Sequence, residues 1–317
     1  MAVPSVVDLS DVLAAVSEFR DLVNQPRLQQ GLMGDLSRWR KLCSAMDVVE
    51  DTGMAIRSYS SGEDTRDKGK LYLETYGVLQ ALAVQQDAVL DLCAAIGSSR
   101  AKGDFPGLTN VRSARVSVAG HPTKRQRDGG GPYHLVQMSL GRNSFELVSL
   151  SSGSAKFKYV SVRDLIRDQE AALGKILTGV IDDVRHADAK HKAQFQGNKL
   201  QTVFPQTLGY SFEKINEHIR RDTLAPMGAW GIEQVRNTLN DLRRGLEARD
   251  IHVGTYDSID YLYELIEYPL GQMEAYLNGK ESEISGPQAA KIFSFFIEKH
   301  VGELRTIATE IDDEFGS

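Results

Sequence analysis

The chain has 317 residues, 41% hydrophobic and 25% charged. These ordinary globular values argue against a disordered chain and suit two domains, at roughly 150 residues each. Apolar runs such as Val78 to Val84 and Ile292 to Ile297 fall short of the roughly 20 residues that span a bilayer, and Met1 to Asp11 lacks the basic start and apolar stretch of a secretory signal. A cytoplasmic protein with no membrane partner is predicted.

From Val6 to about Arg57, apolar residues recur at intervals of three and four, as in Val12, Val16, Phe19 and Val23, with Asp8 or Ser10 placed to cap the first helix. Gln25 to Gly34 interrupts the pattern. A second helix then carries Leu36, Trp39, Leu42, Met46 and Val49 on one stripe, and the polar stretch Ser60 to Lys70 reads as a loop. Lys70 to Ile96 gives the strongest helical pattern, stopped by Gly97. At 1.5 Å per residue it forms a spine about 40 Å long. Cys43 and Cys93 sit in helical stretches as small buried hydrophobes, not as a disulfide or a zinc site.

A short helix is predicted over Leu108 to Ala119. After Gly129 to Gly131 the period becomes alternating, and His134 to Leu140, Phe145 to Leu150 and Lys156 to Val162 read as strands of an antiparallel meander at about 133–162. Helical periodicity then resumes to the end, with breaks near Gln196 to Gly209, Ile251 to Asp257 and Asn278 to Gly286. The predicted fold is thus mainly α: a helical bundle with an inserted meander over 1–165, and a second helical region over 166–317.

Charge is distributed unevenly. A net charge of −6 discourages a polyanion as partner, yet Phe105 to Arg127 contains Arg112, Arg115, Lys124, Arg125 and Arg127 and no acid, so this stretch is +5 and the remainder −11. On an unbroken helix Arg115 and His121 would lie about 120 degrees apart. Gly120, His121 and Pro122 form a helix-ending pattern that puts His121 just past the last turn, where it can fold back toward Arg115. The carbonyls at a helix carboxy terminus favour a charged imidazole, which suits a proton donor.

The run Asn110-Val111-Arg112-Ser113-Ala114-Arg115-Val116-Ser117-Val118-Ala119-Gly120-His121-Pro122-Thr123, placed after a long helix, resembles the signature of the HEPN superfamily, an arginine and a histidine separated by four to six residues. The resemblance covers roughly residues 5 to 125. It implies a helical, metal-independent endoribonuclease that pairs two copies of the motif in a homodimer, with Arg115 and His121 as catalytic residues. Active members commonly carry Asn, Asp or His after the arginine, where this chain has Val116. Metal-free RNA cleavage needs a base for the 2′-hydroxyl, an acid for the leaving oxygen and cationic charge on the transition state. Two copies supply two imidazoles and two guanidiniums, while Arg112, Lys124, Arg125 and Arg127 would bind the RNA phosphates. No cofactor is implied.

Such an enzyme would be a toxin or defence effector, with an antitoxin or other protein as a possible partner. The alternative is a non-catalytic scaffold of the same fold that binds a nucleotide, RNA or protein, or an unrelated helical adaptor. Other patterns carry less. Asp182, Asp183, His186 and His191 read as a charged solvent face, because His186 and His191 diverge on a helix. His300 and Glu303 lack a Glu-x-x-His partner for a di-iron site. Tyr256, Tyr261, Tyr263 and Tyr268 read as helix core. The chain has no phosphate-binding Gly-x-x-x-x-Gly-Lys loop and no Gly-x-Ser-x-Gly elbow.

Overall fold

The structure, a computed structural model, describes residues 10–98, 106–120, 133–151, 154–221 and 226–316. Among these it is mainly helical, with one small three-stranded antiparallel sheet in the middle and a second run of helices after it. The chain divides into two units, Met1–Val184 and Arg185–Ser317. The division lies inside a long helix, later than the boundary expected after residue 165. Burial explains this: Ile166, Leu173, Ile176, Leu177 and Val180 all face the core of the first unit.

The first unit opens with α1 (Ser10–Val23), α2 (Pro26–Met33), α3 (Leu36–Ser61) and α4 (Lys68–Ile96). Helix α2 occupies the stretch read from sequence as a plain interruption. Pro26 starts it with φ already suited to a first turn, but it buries no residue, so no apolar stripe announced it. Asp35 caps α3 by accepting from the Arg38 N–H at 3.0 Å, and Asp67 caps α4 through the N–H groups of Gly69 and Lys70. Gly97 closes α4 with φ at 78°, a left-handed conformation that suits glycine.

Helix α4 is long and apolar enough to cross a membrane by length and composition, yet 61% of its most apolar window is buried inside the protein. That is the signature of a core helix. It packs against α3 and against the short α5 (Pro106–Arg115), and a π-helical turn, Val116–Gly120, follows α5.

The sheet follows in the order β1 (Tyr133–Leu135), β2 (Ser144–Ser151) and β3 (Ser154–Ser161). The first strand stops well before Leu140 because Gln137–Ser139 turns into a 3-10 helix. Lys68 Nζ donates to the carbonyls of Gln137 and Leu140, and Ser139 Oγ accepts the Glu146 N–H at 2.9 Å, which β1 would otherwise have bonded. One face of the sheet, with Phe145, Leu147 and Val160, is buried in the core. Helix α6 (Val162–Ala193) then covers both core clusters of this unit.

Between α4 and α6 lies a buried amide network. Gln86 Nε2 donates to Gln169 Oε1 at 2.7 Å and to the Leu108 carbonyl of α5 at 3.2 Å, while Gln169 Nε2 donates to Gln85 Oε1 and to the Leu82 carbonyl. The bond from Gln86 to the Leu108 carbonyl ties α5 to α4, although Gln86 Oε1 itself meets no partner among the described residues.

The second unit contains a 3-10 turn (Leu200–Val203), α7 (Leu208–Arg221), α8 (Pro226–Glu247), α9 (Asp257–Leu277) and α10 (Pro287–Gly316), packed around one apolar core. Its fixed point is polar. Asp312 accepts the N–H groups of Leu200 and Gln201 at 2.7 and 2.9 Å and faces the buried Arg249 guanidinium at 3.8 Å. Arg249 in turn donates to the carbonyls of Gly245 and Asn198 and lies over the ring of Phe195.

Candidate functional site

Helix α5 is built to display arginines. Leu108, Val111 and Ala114 recur every three residues and are buried, so Arg112 and Ser113 are left on the solvent side. Arg112 Nη2 pairs with Asp87 Oδ1 of α4 at 2.6 Å, and Arg115 Nε donates to Gln80 Oε1 of α4 at 3.1 Å. Gln80 and Asp87 are seven residues apart, two turns along one face of α4, so the two arginines lie along a single stripe.

Their electrostatic situations differ. Arg112 is matched by a carboxylate with both partners about half exposed, whereas the partner of Arg115 is a neutral amide. Among the described residues no carboxylate pairs with Arg115. Its charge therefore remains available to an anion, against the partial negative charge of the α5 carboxy terminus.

The α-helix ends at Arg115, and Val116–Gly120 continue it with π-type i to i+5 hydrogen bonding. Insertions of this sort recur at functional sites because they turn the following side chains out of helical register. Ser117 and Val118 are buried, Val116 is half-buried, and β1 packs against the turn. The sequence anticipated a helix through Ala119 but not the change of register within it, because π turns have no composition of their own. His121, Lys124, Arg125 and Arg127 lie outside the described residues. The structure thus brings Arg112 and Arg115 together on α5.

Comparison with protein-family models, with curated proteins and with solved structures finds no match. What the site can do therefore rests on its own chemistry.

Among the described residues no group of three or more His, Cys, Asp or Glu side chains is placed to hold a metal ion. His191 packs between the rings of Phe195 and Phe315, with Nε2 3.2 Å from the Arg249 carbonyl. His300 is buried with Nδ1 bonded to the Phe296 carbonyl one turn back. Of the tyrosines read as core, Tyr261 and Tyr268 are 60% and 51% exposed, a correction with a simple cause. They are seven residues apart on the side of α9 facing away from Leu262, Ile266 and Leu270, which supply the core.

Two features were not read from the sequence. A cavity of about 370 Å³ between α8 and α9 is lined by Arg243, His252, Tyr256 and Tyr263 together with acidic side chains. Arg243 lies 4.6 Å above the Tyr263 ring, and burial pushes that phenol well above its usual range. The second feature is β3, whose Lys156, Phe157, Lys158 and Tyr159 are all exposed. Its Lys-aromatic alternation was visible in the sequence, but alternation alone does not say which face meets the core.

Proposed function

We propose that this chain acts on RNA as a HEPN-like, metal-independent endoribonuclease working in the cytoplasm as a homodimer, in the manner of a toxin or defence effector. The observation that carries the reading is Arg115: a guanidinium at the end of α5, bonded to a neutral amide, at the start of a π turn that leads to Gly120, next to His121 in sequence. In this reading Arg115 stabilises the charge that builds up on the phosphate, and His121 transfers the proton. A second copy supplies the other base or acid. Arg112, Lys124, Arg125 and Arg127 hold the backbone by charge. An antitoxin would act by covering this cationic stripe.

Val116 favours a second reading. It is apolar and half-buried, so the position beside the arginine offers no hydrogen-bonding side chain, and the same surface would then bind RNA without cutting it.

The deciding experiment incubates the purified chain with mixed RNA in EDTA, beside Arg115→Ala and His121→Ala. Cleavage by the unmodified protein that both variants lose supports the nuclease. RNA bound but left intact, with Arg115→Ala weakening binding, supports the binding module. Neither cleavage nor binding removes RNA from the account.

A further inference from the structure

The run Ile292 to Ile297 on α10 has one polar residue, Ser294, and is otherwise apolar on every side of the helix. A helical segment of that kind is normally covered all round. Here the protein covers one side only. Ser294 is buried with Ile297, Val301 and Leu304, while Ile292 and Phe295 are 68% and 69% exposed. Solubility alone would select the reverse, with the hydroxyl in water and the ring in the core.

Beside this ridge lies a groove. Helices α9 and α10 pack against each other and leave a cleft of about 560 Å³, lined by Tyr261 and Leu265 on one side and by Lys299, His300, Glu303 and Ile307 on the other. Tyr261 is 60% exposed. The Phe296 and His300 rings lie 4.1 Å apart, centroid to centroid, so the apolar ridge continues into the groove. At the rim, Lys299 Nζ lies 3.8 Å from Glu303 Oε1, one turn further along α10.

We infer that two copies of the chain pair through α9 and α10, with Phe295 of each seated in the groove of the other. An interface around a twofold axis requires one surface to supply both the knob and the hole, and this surface holds a protruding ring beside an open cleft. Its charges are self-complementary as well. Two α10 helices set antiparallel, with the axis level with Val301, bring opposite each other the residues equally far before and after that level. Lys299 then meets Glu303 of the second copy, Glu303 meets its Lys299, and Phe295 meets Ile307 at the end of its groove. A partner surface of a single sign would match only one of the two charges. Phe295 and Tyr261 together present roughly 250 Å² of ring surface, close to a third of the ~800 Å² that each partner buries in a stable dimer, and Ile292 and the groove walls lie alongside. The inference goes beyond the RNA reading, which expects two copies to meet through the α5 motif, and uses nothing from it.

The test is sedimentation of the full chain over a range of concentrations, without RNA. The expected result is a monomer–dimer equilibrium. Phe295→Ala should raise the dimer dissociation constant at least about thirtyfold, the scale of a central aromatic anchor, with the helical circular dichroism unchanged because the ring contributes little to the core. Lys299→Glu and Glu303→Lys should each weaken self-association by setting like charges opposite each other. An equimolar mixture of those two variants should pair, since each then offers the charge that the other lacks.

A parent chain that stays monomeric at every concentration overturns the contact. So does a dimer indifferent to Phe295→Ala, or a mixture of the two charge variants that pairs no better than either variant alone. A dimer lost in Arg115→Ala but kept in Phe295→Ala places the pairing at α5, which overturns this contact and leaves the RNA reading intact. A dimer lost in Phe295→Ala, in a chain that neither cuts nor binds RNA, retains the contact and removes the RNA reading.

Discussion

The two units carry charge differently: residues 1–184 hold 22 basic and 22 acidic side chains, residues 185–317 hold 15 and 21. In the second, cations are matched to acids: Arg236 to Glu267 and Glu274, Lys192 to Asp188 and Glu314, Lys214 to Glu217, Arg249 to Asp312. The first matches cations too, as in Arg20 to Asp47 and Glu50 and Arg112 to Asp87, but it bonds Arg115 to a neutral amide. A charge already paired within the fold serves position, whereas the guanidinium of Arg115 is not neutralised by its amide partner. The chain-wide net charge of −6 conceals this, because the second unit carries all of it while the first sums to zero.

The comparison breaks most visibly at Asp312. Asp312→Ala leaves the buried Arg249 guanidinium without its acid and the N–H groups of Leu200 and Gln201 without their acceptor. Removing one partner of a buried pair costs about 3–5 kcal/mol. Urea unfolding should show that loss, and a change below about 1 kcal/mol would mean that the pair does not fix the unit. Asp312→Asn, which keeps an acceptor oxygen, should lose less.

The corresponding buried polar point of the first unit is neutral. Gln169→Leu removes one of the two acceptors of Gln86 Nε2 and the donor to Gln85 Oε1, for about 1–3 kcal/mol. The double replacement Gln86→Leu, Gln169→Leu should cost less than the sum of the two singles, since the remaining groups no longer lack a partner inside the pair. Strict additivity in unfolding measurements would show that the network is not coupled.

How much of this was readable follows the same division. The end of α4 at Gly97 could be read because a breaker acts locally, and so could the meander, whose period of two is a property of a few neighbouring residues; the caps Asp35 and Asp67 were not read. Helix α2 was missed because its eight residues bury nothing. The boundary between the units was misplaced because α6 is one unbroken periodic stretch, and which partner each turn packs against is a tertiary fact. At the candidate site the cationic, acid-free composition was legible at once. The pairing of Arg112 with Asp87 and of Arg115 with Gln80 was not, since it joins positions 25 and 35 residues apart. Nor was the exposed face of β3, because Lys-Phe-Lys-Tyr fits either orientation until Val160 and Phe145 are seen to share the core.

Each unit also holds one buried phenol. Burial pushes Tyr59 and Tyr263 above the usual tyrosine range, with Arg142 and Arg243 pulling them partway back. Unfolded, each ionises near pH 10, while folded it keeps its proton to higher pH. Above about pH 10 the unfolded state therefore binds fewer protons than the native state. Stability is full below that pH and falls above it, by at most about 1.4 kcal/mol per pH unit for each tyrosine. Tyr59→Phe and Tyr263→Phe should each flatten the alkaline limb of stability against pH, even though each starts from a lower baseline through loss of its bond to the Arg142 or Leu239 carbonyl. An unchanged limb in both would show that neither phenol is held neutral by the fold.

The smallest effect is the most informative for function. Arg112→Ala removes an ion pair whose partners are both about half exposed, and Arg115→Ala removes one exposed bond to an amide. Pairs of this kind contribute between about 0 and 1 kcal/mol, so thermal or urea unfolding should place both variants within about 0.5 kcal/mol of the parent. A residue that the fold hardly needs, on a helix tied to α4 by a buried amide, is free to be shaped by a ligand. If Arg115→Ala instead cost as much as Asp312→Ala, the arginine would be holding α5 in place, the contrast between the units would vanish, and the stripe would lose its claim to be a binding surface.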